Sequence, residues 1–148
     1  MNLKIKSMTL NDLENIKDIL ETEFDNFWNY NILKSELQNT NSEYLVAFSN
    51  SEIVGFGGIW ISVDDIHLTN IVTKKSMRHN GIASKLLENL ISISKTKNKT
   101  SLTLEVNENN IYAIKLYSKY NFKKIGLRKN YYFQNENAII MTLFFNEN

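Results

Sequence analysis

The alternation of hydrophobic and polar positions predicts one strand and two helices in the first part of the chain. Residues 3–6 alternate as a half-buried strand does. Thr9 then caps a helical pattern, whose apolar residues recur at intervals of three and four: Leu10, Leu13, Ile16, Ile19 and Leu20. Residues 31–37 form a second, shorter helical pattern with Leu33 and Leu37 on one face.

Three strand-like runs follow, over residues 44–48, 53–63 and 66–73. The turn residues between them are Asn50, Ser51, Asp64 and Asp65. Because short connections of this kind join antiparallel strands, we expect a meander. From Gly81 the apolar period becomes helical, and one stripe contains Ile82, Leu86, Leu90 and Ile93.

The last third of the chain predicts a strand over 102–106, a helix, and two closing strands over 122–127 and 138–145. Asn110 caps this helix, and its inner face carries Ala113, Leu116, Tyr117 and Tyr120. The predicted order is β-α-α-β-β-β-α-β-α-β-β, which is an α+β layered sheet. No linker or internal repeat divides it, so we expect a single domain over 1–148.

Composition narrows the chemistry that this fold can perform. The 148 residues include no Cys, which excludes disulfides, thiolate zinc clusters and a Cys nucleophile. The two histidines, His67 and His79, are too few for a His-rich metal centre, and His67 lies among the apolar neighbours of a strand. Carboxylates and tyrosines are therefore the expected working groups, and we predict no metal.

The charge balance and the apolar runs of the sequence predict where the protein is located and which partners it binds. Seventeen Lys and Arg against sixteen Asp and Glu give a net charge of +1, so we expect no direct nucleic-acid binding. The apolar stretch 53–63 is too short to cross a bilayer as a helix, and residues 1–10 lack a secretory pattern. Together with the absence of Cys, these features predict a cytoplasmic protein with no membrane contact.

The segment 70–83 contains a strand end, a polar loop and a helix start at Gly81. Unpaired backbone N–H groups at a helix N-terminus bind phosphate oxygens, and glycine allows close approach. Positive side chains surround this turn: Lys74, Lys75, Arg78 and Lys85. The turn is therefore either a site for a pyrophosphate or 3′-phosphate, or an ordinary strand-to-helix connection with a solvated basic rim.

Glu105 interrupts the apolar run 102–106, and alternation places it with Thr103 on the face opposite Leu104. A carboxylate at this position serves either as a general base in a polar cleft or as a salt-bridge partner on an exposed sheet face. Tyr117 lies on the next helix, and its phenol could protonate a leaving thiolate or simply pack in the core.

Read together, these segments form an ordered series over 64–143: Asp64-Asp65, Asn70-Ile71, Arg78-x-x-Gly81-x-Ala83, Leu86-Leu87, Leu104-Glu105-Val106, Asn110, Ala113, Leu116-Tyr117, Phe122, Arg128-x-Asn130-Tyr131-Tyr132 and Ala138-Ile139-Ile140-Met141. The series resembles the GNAT superfamily of N-acetyltransferases, and more narrowly the bacterial ribosomal-protein-alanine N-acetyltransferases of the RimI type. The resemblance implies an α/β/α layered GNAT fold, with a mixed, mostly antiparallel sheet of about seven strands flanked by about four helices.

The resemblance also implies acetyl-CoA as the acetyl donor. The backbone of Ile71, Val72 and Thr73 would bind the pantetheine and the acetyl carbonyl, and Asn110 would bind the pantetheine arm. The residues implied for the pyrophosphate are Arg78, His79, Asn80, Gly81, Ile82 and Ala83. Glu105 would be the general base and Tyr117 the general acid of a direct transfer in a ternary complex, which agrees with the absence of a Cys nucleophile.

On the acceptor side, the resemblance implies substrate contacts from Trp28, Tyr131 and Tyr132, although the two tyrosines are equally consistent with packing. The implied partner is a protein N-terminus, an alanine of a small-subunit ribosomal protein. The chain departs from the family pattern at Phe27, Asn29 and Asn107, at Lys74-Lys75, and in a shortened loop between Tyr132 and Ala138. Strand ends and that loop usually shape the acceptor site in this family.

Two other functions fit the same residues. One is acetylation of a small amine such as a polyamine, and the other is a non-catalytic acyl-CoA-binding module that keeps the fold. The presence of both Glu105 and Tyr117 argues against the second. The remaining basic group is expected to be a solvated edge that deters strand pairing, or else a docking site for an acidic or ribosomal partner: Lys123, Lys124, Arg128 and Lys129.

Overall fold

Seven β-strands and four α-helices form the part of the chain that this computed structural model describes, residues 2–25, 29–131 and 135–145. The strands are β1 (Leu3–Ser7), β2 (Ser42–Ser49), β3 (Glu52–Ile61), β4 (Ile66–Thr73), β5 (Ser101–Asn107), β6 (Lys123–Arg128) and β7 (Ala138–Phe144). The helices are α1 (Leu10–Ile16), α2 (Tyr30–Gln38), α3 (Ile82–Lys95) and α4 (Ile111–Lys119). Their order along the chain is the predicted one.

The strands lie in the order β1-β2-β3-β4-β5-β7-β6, in which neighbours are hydrogen-bonded. β4 and β5 run parallel, whereas β1–β2, β2–β3, β5–β7 and β6–β7 are antiparallel pairs. Backbone contacts group the chain into two compact units, Met1–Ile61 with Thr69–Ile93, and Ser62–Leu68 with Ser94–Asn148. The single domain expected over 1–148 stays a prediction.

In the first unit, α1 begins at a capping box. The Thr9 backbone N–H donates to Asp12 Oδ2 at 2.8 Å, and the Asp12 N–H donates to Thr9 Oγ1 at 3.1 Å. The α-helix ends at Ile16, and the chain continues as a 3₁₀ turn (Lys17–Ile19) and then a π-helical turn (Leu20–Phe24). The predicted helical pattern through Leu20 is therefore α-helical only as far as Ile16, and Leu20 and Phe24 are buried in the core.

The core of the first unit also includes residues that support the end of β4. Gly55 in β3 has no space for a side chain, because a Cβ there would lie 2.9 Å from both the Val72 carbonyl oxygen and Ile82 Cγ2. Of the predicted stripe of α3, Ile82, Leu86 and Leu90 are fully buried and Ile93 is partly buried; Leu87 beside it is also fully buried. This close packing fixes the start of α3 behind β4.

In the second unit, β5 alternates as predicted. Leu102, Leu104 and Val106 are buried, while Thr103 and Glu105 are only partly so. β7 lies between β5 and β6, and Ile140 pairs with both Glu105 and Gly126. In this order β5 and β6 lie on either side of β7. Within the described residues, the helices are all too short or too polar to span a membrane.

Candidate active site

The connection between β4 and α3 is a tight turn stabilised by its own side chains. After β4 a 3₁₀ turn covers Lys75–Met77, and both His79 and Gly81 have positive φ, at 66° and 77°. The Asn80 amide donates to the backbone oxygens of Met77 at 3.0 Å and Arg78 at 3.2 Å. These bonds fix the loop without using the first N–H groups of α3.

The N-terminus of α3 fits a phosphate group. Its first backbone N–H groups have no partner within a helix, and they lie at the positive end of a dipole of 14 residues. Gly81 is exposed, and a Cβ built on it would meet no atom within 4 Å. Arg78 is exposed in the same turn. A phosphate could therefore reach the backbone, which agrees with the first of the two interpretations of this segment.

The basic rim of the turn is smaller than the sequence predicts. The Lys74 side chain is only 12 % exposed, and its ammonium contacts the Glu52 carboxylate and lies 3.5 Å from Glu23 Oε1. The hydrogen bond to Glu52 raises the pKa of Lys74 above its usual value. These carboxylates already neutralise Lys74. The prediction that Lys74 adds positive charge to an anion site is therefore wrong. Lys85, unlike Lys74, is exposed on the surface, where its Nζ lies 3.7 Å from Glu88 Oε1.

The end of β4 carries the residues predicted to contact an acyl donor. Val72 is buried, and Ile71 and Thr73 are partly buried. The Ile71 N–H donates to the Oδ1 of the preceding residue, Asn70, at 3.0 Å. The register of β4 with β5 consists of Ile66–Leu102 and His67–Thr103, at the start of both strands. At Ile71 the strand N–H is thus bonded to a side chain that a ligand carbonyl could replace.

Glu105 forms a salt bridge, as one of the two interpretations predicted. Its side chain is 29 % exposed, and Arg128 Nη1 lies 2.9 Å from Oε1 and 3.2 Å from Oε2. The Arg128 guanidinium also lies over the Tyr131 ring, 4.2 Å from the ring centroid. The structure therefore brings Glu105 and Tyr131 to the same guanidinium. Arg128 is exposed, as are Lys123, Lys124 and Lys129, but its contact with Glu105 was not part of the predicted solvated edge.

Tyr117 and Asn110 have clear structural contacts. Tyr117 is 7 % exposed, and its ring packs against Phe122 with centroids 5.6 Å apart. Asn110 caps α4, because its Oδ1 accepts from the Ala113 N–H at 3.1 Å. Both residues thus have the plainer role that the sequence allows, and their chemical roles remain proposals.

Sequence reasoning missed a polar network that joins the turn after β5 to the residues before β7. Asn107 and Asn109 donate to Glu136 Oε2 at 2.6 and 3.2 Å, and these bonds lower the pKa of the Glu136 carboxyl. The Asn137 N–H donates to Glu108 Oε2 at 2.8 Å. The signal in the sequence is the pair of polar runs at 107–110 and 135–137. The network fixes the part of the loop that leads into β7.

Two predicted acceptor contacts, Trp28 and Tyr132, lie outside the described residues. Among the described ones, no cluster of three or more His, Asp or Glu side chains could hold a metal ion. His67 Nε2 instead lies 3.0 Å from Asp65 Oδ1.

Comparison with known proteins identifies the class. Residues 13–122 match the model of the Acetyltransferase (GNAT) family, and the chain therefore belongs to this family of N-acetyltransferases. It is 34 % identical over 145 residues to a Bacillus subtilis protein provisionally named ribosomal protein bS18-alanine N-acetyltransferase, with 97 % of this chain and 96 % of that protein covered. The predicted enzyme class is confirmed.

Solved structures confirm the predicted GNAT fold. The ribosomal-protein-S18-alanine N-acetyltransferase of Escherichia coli superposes with a TM-score of 0.88 at 28 % identity, covering 99 % of this chain and 96 % of that one. Arabidopsis thaliana NAA60, solved with acetyl-CoA, has the same fold, with a TM-score of 0.80 at 16 % identity and coverage of 99 % and 100 %. The resemblance to RimI-type enzymes thus extends over nearly the whole chain.

Proposed function

We propose that this protein transfers the acetyl group of acetyl-CoA to the N-terminal α-amine of a protein, namely the alanine of a small-subunit ribosomal protein. The observation that carries this proposal is the likeness to the Escherichia coli enzyme over 99 % of the chain. The name of the Bacillus subtilis relative supports the same acceptor. A ribosomal acceptor also agrees with the cytoplasmic location expected from the sequence.

Acetyl-CoA would bind along β4 and the turn that follows it. The phosphate site at the start of α3 would hold the pyrophosphate through Arg78, His79, Asn80, Gly81, Ile82 and Ala83. The backbone of Ile71, Val72 and Thr73 would hold the pantetheine and the acetyl carbonyl. Asn110, which caps α4 through its Oδ1, would contribute its remaining amide group to the pantetheine arm. The acetyl-CoA complex of a protein with the same fold supports this donor.

In the transfer, Glu105 would accept a proton from the acceptor ammonium, directly or through water. The free amine then attacks the thioester carbonyl, so that a C–N bond forms as the C–S bond breaks. A backbone N–H near Val72 would stabilise the developing oxyanion. The Tyr117 phenol would donate its proton to the leaving thiolate, because a phenol is protonated at neutral pH. The attacking nitrogen loses its second proton as the C–S bond breaks, which restores the Tyr117 phenol, and Glu105 releases the first proton to solvent. The products are an N-terminal acetamide and free CoA.

Gly81→Ala tests the phosphate site. Positive φ costs an L-residue about 1–2 kcal/mol, and the new methyl group would stand in the open space in front of the helix N-terminus. We expect acetyl-CoA to bind about tenfold more weakly by calorimetry, equivalent to the loss of one charge-assisted hydrogen bond. Gly126→Ala is the control, since its methyl group would make an ordinary 3.4 Å contact with Ile140. Unchanged affinity in Gly81→Ala would place the pyrophosphate elsewhere.

The acceptor is tested in cells that lack the gene for this protein. Mass spectrometry of their small-subunit ribosomal proteins should detect a free N-terminal alanine where the parent strain has an acetylated one. Complementation with the wild-type gene should restore the acetyl group, and complementation with Glu105→Gln should not. If every ribosomal N-terminus keeps its acetylation state in the deletion strain, the proposed acceptor is incorrect.

A further inference from the structure

The Glu105–Arg128 pair places a negative and a positive group side by side on a partly exposed face of the sheet. The side chains are 29 % and 53 % exposed. A single guanidinium nitrogen, Nη1, contacts both carboxylate oxygens. An ionised carboxylate has about four acceptor positions, so it can take a further donor while it keeps Arg128. The pair can therefore bind a ligand that carries a cation and an acceptor atom close together.

The strand order holds this pair in place. Arg128 lies on β6 and pairs with Ala138, whereas Glu105 lies on β5 and pairs with Ile140, so the guanidinium reaches across β7. The Tyr131 ring contacts the guanidinium 4.2 Å from its centroid. Because two partners hold it, Arg128 presents its donors in a defined orientation.

We propose that Arg128 determines the acceptor class by binding the first peptide carbonyl of the acceptor, while Glu105 binds the α-amine of the same residue. The inference rests on the proposed function and names the residue that selects its substrate. In a peptide N-terminus, the amine nitrogen and the carbonyl oxygen of the first residue are separated by three bonds, and they lie about 3 Å apart when both are on the same side of the Cα–C bond. A carboxylate and a guanidinium in direct contact match that spacing of donor and acceptor.

The same charge pair selects against other amines. A polyamine or a lysine side chain offers an ammonium group to Glu105 but has no carbonyl oxygen beside it for Arg128. In a polyamine, the second cation would also be repelled by the guanidinium. Such an amine would forgo the hydrogen bond with Arg128 that the carbonyl of a peptide N-terminus would gain. The pair therefore favours peptide N-termini over the small amines considered above.

The test compares two probes that differ only at the first carbonyl. One is a short peptide that begins with alanine, and the other has a trans-alkene in place of its first amide. We expect wild-type kcat/KM to favour the amide by about 10- to 100-fold, the range for a hydrogen bond to a charged group. R128Q should reduce this preference to less than about threefold, and R128K should restore part of it. Because the readout is a ratio, any common effect of R128Q on Glu105 cancels.

Lys129→Gln is the matched control, because it removes the same charge from the adjacent, exposed residue. It should keep the wild-type preference. If R128Q keeps that preference as well, Arg128 does not bind the carbonyl, and the inference is wrong while peptide acetylation still stands. If the wild-type enzyme acetylates 1,4-diaminobutane and neither peptide, the proposed acceptor is wrong and the inference fails with it.

Discussion

Glu105→Gln is expected to lower kcat/KM for an alanine peptide by about 10²- to 10⁴-fold, the usual contribution of a general base. Glutamine has nearly the same shape but cannot accept the proton that the acceptor ammonium must lose. The salt bridge to Arg128 is lost as well, but a partly exposed pair contributes only about 0–1 kcal/mol to stability. The lost activity should therefore not result from unfolding.

The measurement combines initial rates at saturating acetyl-CoA with thermal unfolding and calorimetric binding of acetyl-CoA. Affinity for acetyl-CoA should stay close to the wild-type value. The residues proposed to bind acetyl-CoA are Asn110 and residues of β4 and of the turn that follows β4. Glu43→Gln in β2 is a control, since Glu43 is also a partly buried glutamate in a strand. If Glu105→Gln retains the activity of this control, the base must be another group.

The Glu105–Arg128 contact shows which features of the site can be predicted from the sequence and which cannot. The alternation of β5 predicts which face Glu105 occupies, because that pattern depends only on neighbours in sequence. Its partner depends on the insertion of β7 between β5 and β6. Local patterns do not determine strand order, and the contact between Arg128 and Glu105 therefore could not be predicted from the sequence. The missed Asn107–Glu136 contact is another result of the same pairing between distant strands.

The prediction of helix boundaries from the sequence is limited for a different physical reason. The intervals of three and four residues from Leu10 to Leu20 predict a buried face, and Leu13, Ile16 and Leu20 are indeed buried. Tight 3₁₀ turns and wide π turns can keep such residues on the same side as an α-helix does. Only the backbone hydrogen bonds distinguish these conformations. The capping signals, by contrast, are local, and Thr9 and Asn110 begin helices where the sequence predicted.

Tyr117→Phe is expected to lower kcat by about 10²- to 10⁴-fold while the affinity for acetyl-CoA stays nearly unchanged. The phenylalanine ring keeps the packing against Phe122, so the variant should unfold within a few degrees of the wild-type protein. Tyr120→Phe, three residues later at the end of the same helix, removes a phenol that has no proposed role. It should retain wild-type turnover.

The roles proposed for Tyr117 and Arg128 can be distinguished by testing whether the loss of activity depends on the acceptor peptide. The leaving group is the CoA thiolate whichever amine attacks, so a missing general acid should slow the amide peptide and its alkene analogue by the same factor. R128Q should instead slow mainly the amide peptide, because it alone has the carbonyl. Unchanged turnover in Tyr117→Phe would remove Tyr117 from the acid role. A loss confined to one of the two peptides would indicate that the phenol contacts the acceptor rather than the departing sulfur.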